Sequence, residues 1–481
     1  MSQISTGTNL KFADVIIIGN GILGTSLAVQ LAWKSPDLKV KQIGGKARAG
    51  SATTAAAAML NSFAEVDTDT LQFPILKHRF ELNRLANRFV WEKMLARISD
   101  QSGVKIHNGF GTYVINNSKS GIVEDENFDA IVDALGRYGS DFEWAVPREI
   151  PNYHPTNAAR AIRAIYINDE GWVNPVEMLS GLDSVLTTFE SYQSVDAEVS
   201  SLKISDGMAH SVVVSDGSTY SAPQVVIANG ASMSNLLVNS GLSNLVLSVY
   251  FGVGVTAVLD TGELTLANCI RTPNRGLACG LYSAPRSKLQ TVIGATNAIW
   301  DKPQSSPTSN NLQSILKNAQ TELNVDFASA CVSQINLGWR PLTEDLMPMI
   351  GETEIPGLFI LNGMRRDGFH CSPVVSDIMS DLLLSFAPCF DVKPFQPRRK
   401  PLSIFTRSQS INRIVAHTVA AAVEHGFESG STVQSNRVEA AIRHEAEVLH
   451  DYLGMGDRGL QPEFFSYFRA RRLREIVATS S

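Results

Sequence analysis

Cysteine is scarce. Five residues stand at 269, 279, 331, 371 and 389, and no two have the spacing of a metal-ligand pair. Their odd number and scatter argue against a disulfide framework and suit free thiols in a reducing cytosol, so a cytoplasmic protein is expected. Long apolar runs are absent, and the longest falls well short of the ~20 residues that a membrane span requires. The polar stretch from Met1 to Ala13 has neither the basic start nor the apolar run of a secretory signal. Positive charge is not in excess: 41 Lys and Arg against 47 Asp and Glu leave a net charge of −6. That balance excludes general nucleic-acid binding, which needs a basic footprint. No low-complexity tract and no internal repeat interrupts the chain. Its 481 residues, 44% of them apolar and 18% charged, suit a globular enzyme of two or three structural units.

The first motif lies in Asp14-Val15-Ile16-Ile17-Ile18, a β-branched run typical of a buried parallel strand. Gly19-Asn20-Gly21-Ile22-Leu23-Gly24 follows directly, then a helix-like stretch over 25–33 and a second strand candidate over 39–43. This is GxGxxG between a strand and a helix. Gly19 permits the tight turn, Gly21 lets backbone approach a pyrophosphate at the helix N-terminus, and Gly24 lets helix and strand pack closely. A dinucleotide site is expected here. One position departs from the pattern: where an acidic side chain normally ends the second strand and holds the ribose, the chain has Gly44.

Beyond it, Ser51-Ala52-Thr53-Thr54-Ala55-Ala56-Ala57-Ala58-Met59-Leu60 resembles the small-residue loop that lies against the flavin ring in glycine oxidases, with Ala58 in place of the family's glycine. Further segments match in order. They are Gly171-Trp172-Val173-Asn174-Pro175, Glu198-Val199-Ser200, Ile227-Ala228-Asn229-Gly230, Tyr282-Ser283-Ala284-Pro285-Arg286, Gly338-Trp339-Arg340-Pro341, and Asn362-Gly363-Met364-Arg365-Arg366-Asp367-Gly368. Together they cover roughly residues 12 to 390. On these the chain resembles the FAD-dependent glycine oxidase and D-amino-acid oxidase superfamily, most closely its glycine oxidase-like branch.

The resemblance implies noncovalently bound FAD and oxidation of a small amino acid or other amine to an imine, with dioxygen giving hydrogen peroxide. It implies FAD contacts at Gly19, Gly21, Ile22 and Gly24 of the turn, and at Thr53, Thr54, Ala57 and Met59 of the small-residue loop. Val199, Asn229 and Gly230 are implied further along, then Arg366, Gly368, Phe369 and His370. Arg340 matches the arginine that holds the substrate carboxylate, a task suited to a bidentate guanidinium fork. Tyr282 matches an active-site tyrosine, and Arg366 a second arginine near the flavin. Met59, Asn297 and His370 are implied to line the substrate pocket. Arg365 replaces an aromatic residue, and two adjacent arginines suggest a substrate more acidic than glycine. Cys371 reads as a small buried thiol, not as a flavin link.

The expected fold is α/β: a Rossmann-like FAD-binding domain assembled from 12–75, 160–240 and 335–392, and a mixed-sheet substrate domain from 76–159 and 241–334. The proline- and base-rich stretch 393–401 reads as a linker. Helical periodicity follows over 411–425, 433–453 and 463–477, predicting a C-terminal helical extension over 400–481 that docks through Ile411, Ile414 and Val415. His444, Glu447, His450 and Asp451 contain one Glu-x-x-His pair where a carboxylate-bridged metal site needs two, so they read as a solvated helix face with no metal. The extension leaves alternatives open: a flavin dehydrogenase or tailoring oxidase of a larger amine, a partner-binding helical module, or a homo-oligomer contact.

Overall fold

The run Val15–Ile18 forms strand β1, buried along its whole length, as a strand sheathed on both faces must be. In the computed structural model, residues 12–480 are described apart from 206, 278, 425, 428 and 429. Residues 1–11, and with them most of the polar N-terminal stretch, lie outside the described residues, as does His425, the expected end of the first extension helix. Helix α1 (Ile22–Lys34) follows the turn, and strand β2 (Val40–Ile43) pairs with β1 in parallel. A six-stranded sheet grows from this pair in the order 349–352, 358–362, 224–227, β1, β2, 192–195, all parallel except the first pair. Helix α1 and helix Ser372–Leu383 cover one face through Leu27, Leu31, Val375 and Ile378.

A second, mixed sheet of ten strands carries the long strands β3 (Val249–Asp260) and β4 (Cys331–Thr343), which pair antiparallel with Gly252 opposite Arg340. Strands Met59–Leu60 and Ala161–Val173 and residues 335–343 of β4 fall in stretches expected in the dinucleotide unit, yet they pair into this second sheet. Each leads out of one unit into the other, so its residues belong by pairing to the mixed sheet although its sequence neighbours do not.

The expected linker is no free tether. Phe395 is fully buried, and Arg399 grips the buried carboxylate of Asp345 through two hydrogen bonds of 3.0 Å. Three helices follow: α2 (Arg407–Glu424), α3 (Thr432–Tyr452) and α4 (Phe465–Ser480). Ile411, Ile414, Leu449, Phe464 and Phe465 form one apolar cluster with Leu342 and Leu346 of the body. His450, expected on a solvated face, points inward instead. Its Nδ1 donates to Ala446 O at 2.7 Å, and its Nε2 accepts from Leu460 N at 3.1 Å. No helix among the described residues is long and apolar enough to cross a membrane.

Candidate active site

The pyrophosphate turn is held from behind. Gln42 Nε2 donates to Gly19 O at 2.9 Å and to Thr25 Oγ1 at 3.2 Å, and Tyr192 donates to Gln42 Oε1. A Cβ on Gly19 would lie 2.4 Å from Ala228 O, and one on Gly24 would lie 2.2 Å from Gly19 O, so both positions need glycine for packing. Gly21 caps α1 with no side-chain acceptor, and the first turn holds no acidic residue. Beyond Ile22, the first N–H groups of α1 are thus left for an anion. Ile22 N donates to Thr53 Oγ1 at 3.0 Å, which ties the small-residue loop to the same helix end. At the end of β2, a Cβ on Gly44 would meet Asn20 Cγ at 2.6 Å. The Asn20 side chain fills that space and donates to Gly45 O at 3.1 Å, leaving no room for the usual acid.

This turn opens into a cavity of about 860 Å³ that runs beneath the mixed sheet. Gly19, Gly21, Ile22, Thr53, Ala57, Met59, Val199, Asn229 and Gly230 line it, as do Tyr282, Arg340, Arg366, Gly368, Phe369 and His370. Gly24, Thr54 and Asn297 do not. Gly24 serves the helix–strand contact, while Thr54 Oγ1 turns back to Ser51 O. Asn297 lies one layer further out and accepts from Arg340 NH1 at 3.3 Å. The cavity fits a dinucleotide: it combines an uncapped helix N-terminus with glycine backbone, and the buried Asn229 Oδ1 beside it has no hydrogen-bond partner.

The far end of the cavity is rich in guanidinium. Arg340 extends from β4 across Gly254 of β3, where a Cβ would lie 2.2 Å from Arg340 NH2. Its NH1 donates to Thr296 O at 2.9 Å. Four arginines line the cavity, and three carry a carboxylate: Arg48 pairs with Asp183, Arg366 with Glu65, and Arg365 with Glu463. Among the described residues Arg340 has no carboxylate partner. The adjacent arginines that suggested an acidic substrate are therefore each in contact with a carboxylate, Arg366 with a Glu65 that it shares with Arg271. Tyr282 is buried beside this end with its hydroxyl unbonded among the described residues, and burial pushes its phenol well above the ordinary tyrosine range.

Charges behind the cavity are balanced internally. Burial alone would raise the Glu65 carboxyl, but the Arg271 and Arg366 guanidinium groups outweigh it and hold the pKa at about 2. Glu170 accepts from the N–H groups of Ser62, Phe63 and Ala64, yet burial pushes it up to about 7. His370 is a buried histidine whose Nε2 meets Asn83 O at 2.9 Å. Burial lowers its pKa, so it is neutral near pH 7. Cys371 is held at Asn83 Oδ1, and burial pushes its thiol far up, which suits an inert packing residue. Sequence reasoning missed Asn20, Asp183 and Glu463. Glu463 lies 98 residues from Arg365 along the chain, and no local pattern marks such a pairing.

A nucleotide-binding α/β unit that opens under a mixed sheet, with one unpaired guanidinium at the far end, defines a dinucleotide-dependent oxidoreductase. The FAD dependent oxidoreductase family (DAO) matches residues 14–382, and the chain belongs to that family. It is therefore an FAD-dependent enzyme. Glycine oxidase of Geobacillus kaustophilus is 26% identical over 397 residues, 80% of this chain and 97% of that protein. The bifunctional protein ThiO/ThiG of Synechocystis is 24% identical over 390 residues, 80% of this chain and 54% of that protein. The crystal structure of glycine oxidase from Geobacillus kaustophilus superposes with a TM-score of 0.69 at 23% identity, covering 81% of this chain and 99% of that one. Iminodiacetate oxidase from Chelativorans sp. BNC1 gives 0.67 at 19% identity, covering 80% and 98%.

Proposed function

We propose that the enzyme oxidises the C–N bond of a small amino acid, with the substrate carboxylate on Arg340 and the reacting carbon beneath the mixed sheet. The observation that carries this reading is the state of Arg340: among the described residues it is the one cavity-lining arginine without a carboxylate partner. A half-buried guanidinium bound to a carbonyl and an amide oxygen still gains from an anionic ligand.

FAD, when bound, supplies the acceptor for the two electrons and the hydrogen that leave the substrate carbon. Gly21, Ile22 and Thr53 would hold its pyrophosphate, and Ala57, Met59 and the Arg366–His370 segment would border its ring. The ribose is held without an acid at position 44. Arg340 orients the substrate by its carboxylate. Tyr282, kept protonated by burial, can donate a hydrogen bond but cannot serve as a base near pH 7. The amine must enter neutral, and positioning carries much of the rate. Overall, amino acid, dioxygen and water become the oxo acid, ammonia and hydrogen peroxide.

The test is an anaerobic screen of small amino acids and of the matching decarboxylated amines, read by loss of flavin absorbance, followed by a peroxide assay in air. Amino acids should bleach the flavin and the bare amines should not. Bleaching by amines alone would refute the carboxylate reading.

A further inference from the structure

Helix α4 of the C-terminal extension is entered through Gln461-Pro462-Glu463, and this entry carries a carboxylate to the wall of the active site. Glu463 is 10% exposed and pairs with Arg365. It lies 3.4 Å from Asn297 Nδ2, whose own oxygen accepts from Arg340. We propose that Glu463 is a specificity-determining positioning residue: by neutralising Arg365 it leaves Arg340 alone to bind anions and restricts the cavity to substrates with one carboxylate. The inference rests on the amino-acid reading of Arg340 and extends it to the substrate's charge.

The direction of Arg365 is fixed by the backbone. The residue sits in the left-handed region at φ 54°, which an arginine rarely adopts, and its N–H donates to Pro341 O at 3.1 Å. The side chain thus borders the cavity beside Arg366, one position along. Arg366 is balanced by Glu65, which belongs to the family-matched body. Among the described residues the one carboxylate in ion-pair contact with Arg365 is Glu463, which lies outside the family match at 14–382, while Asp367 and Asp67 act on it from further off. Without Glu463 the cavity would present a second bare guanidinium near the first, and a fork in a buried site binds carboxylate strongly. The extension's carboxylate thus occupies the place that a substrate's second carboxylate would take. Asn297 links the two ends, since its amide bridges Glu463 to Arg340 and donates to Leu277 O as well.

The experiment uses the full-length holoenzyme. Propionate and malonate, one carboxylate and two, are titrated while the flavin spectrum is followed, in wild type, E463Q, E463D and the double variant E463Q/R365Q. Wild type and E463D should favour propionate, while E463Q should shift the malonate-to-propionate affinity ratio toward malonate by at least ~10-fold. The double variant has no unpaired buried charge to destabilise it, and its ratio should return to the wild-type value. A purely structural contact would weaken both acids in parallel and leave the ratio unmoved, which overturns the proposal. Preference for malonate in the double variant overturns it as well, and does so even if E463Q alone does not fold. Failure of wild type to bind either acid would instead overturn the carboxylate reading of Arg340 on which the proposal rests.

Discussion

Arg340, Arg365 and Arg366 were visible in sequence as arginines of the site and Arg48 was not, but the pairing of none of the four was. What separates them is whether a carboxylate from another segment reaches each one. Asp183, Glu65 and Glu463 do so for Arg48, Arg366 and Arg365. Motif matching located the cations, and only folding located the counter-ions. Arg340→Met therefore removes the one fork left for substrate. The Michaelis constant for amino acids should rise at least ~100-fold, the loss of charge-assisted hydrogen bonds worth roughly 3 kcal/mol. A decarboxylated amine should lose little by comparison. Steady-state kinetics on one amino acid and its amine decide the matter, and equal losses would make Arg340 structural.

At the scale of elements, the strand–turn–helix of 15–34 was legible because each of its contacts is local and each glycine has a distinct steric reason. Gly44 looked anomalous for the opposite reason: the group that replaces the acid, Asn20, comes from the turn of the neighbouring strand. The pairing of strands 161–173 and 331–343 into the mixed sheet was not legible, because a strand's partners do not show in its own pattern. Helix α2 adds a contact that no motif announced. Glu424 accepts from Gly276 N at 2.9 Å and His417 Nδ1 from Leu277 N at 3.3 Å, so the helix fixes the loop before Tyr282. Burial pushes the Glu424 carboxyl up to about 7, against the pull of Arg275 and with further push from Glu124 and Glu322. In the unfolded chain it would ionise near the ordinary ~4.3. The folded state therefore keeps a proton that the unfolded state releases. This stability is fully present below about pH 4.3 and is lost as pH rises to about 7, a change of up to ~4 kcal/mol. Glu424→Gln retains the acceptor and removes the titration. Melting curves from pH 5 to pH 8 should show the variant gaining on wild type as pH rises. A constant difference across that range would mean that Glu424 is ionised throughout.

For the whole molecule, the extension behaves as part of the body and not as an appendage. Its periodicity was readable, because Ile411, Ile414 and Val415 fall on one helical face that needs burial. Its docking place was not readable, because the receiving surface of Leu342, Leu346, Tyr250 and Ile299 comes from distant strands. The connection is fastened by Arg399 on Asp345, and α2 by Arg413 on Asp69. Cutting the chain near residue 395 would strip a cover from that apolar surface and leave the buried Arg365 without its carboxylate. Removing one partner of a buried ion pair costs ~3–5 kcal/mol. Losing the apolar contacts adds to this, since even one large side chain such as Phe464 contributes ~3–5 kcal/mol against truncation to alanine. The truncated chain should accordingly fail to accumulate as a stable flavoprotein. In the intact protein, a protease at low concentration should spare α2 and α3 until the whole chain unfolds. Rapid cleavage throughout 400–480 that leaves a stable yellow core with unchanged turnover would show that the extension neither closes the site nor supports the body.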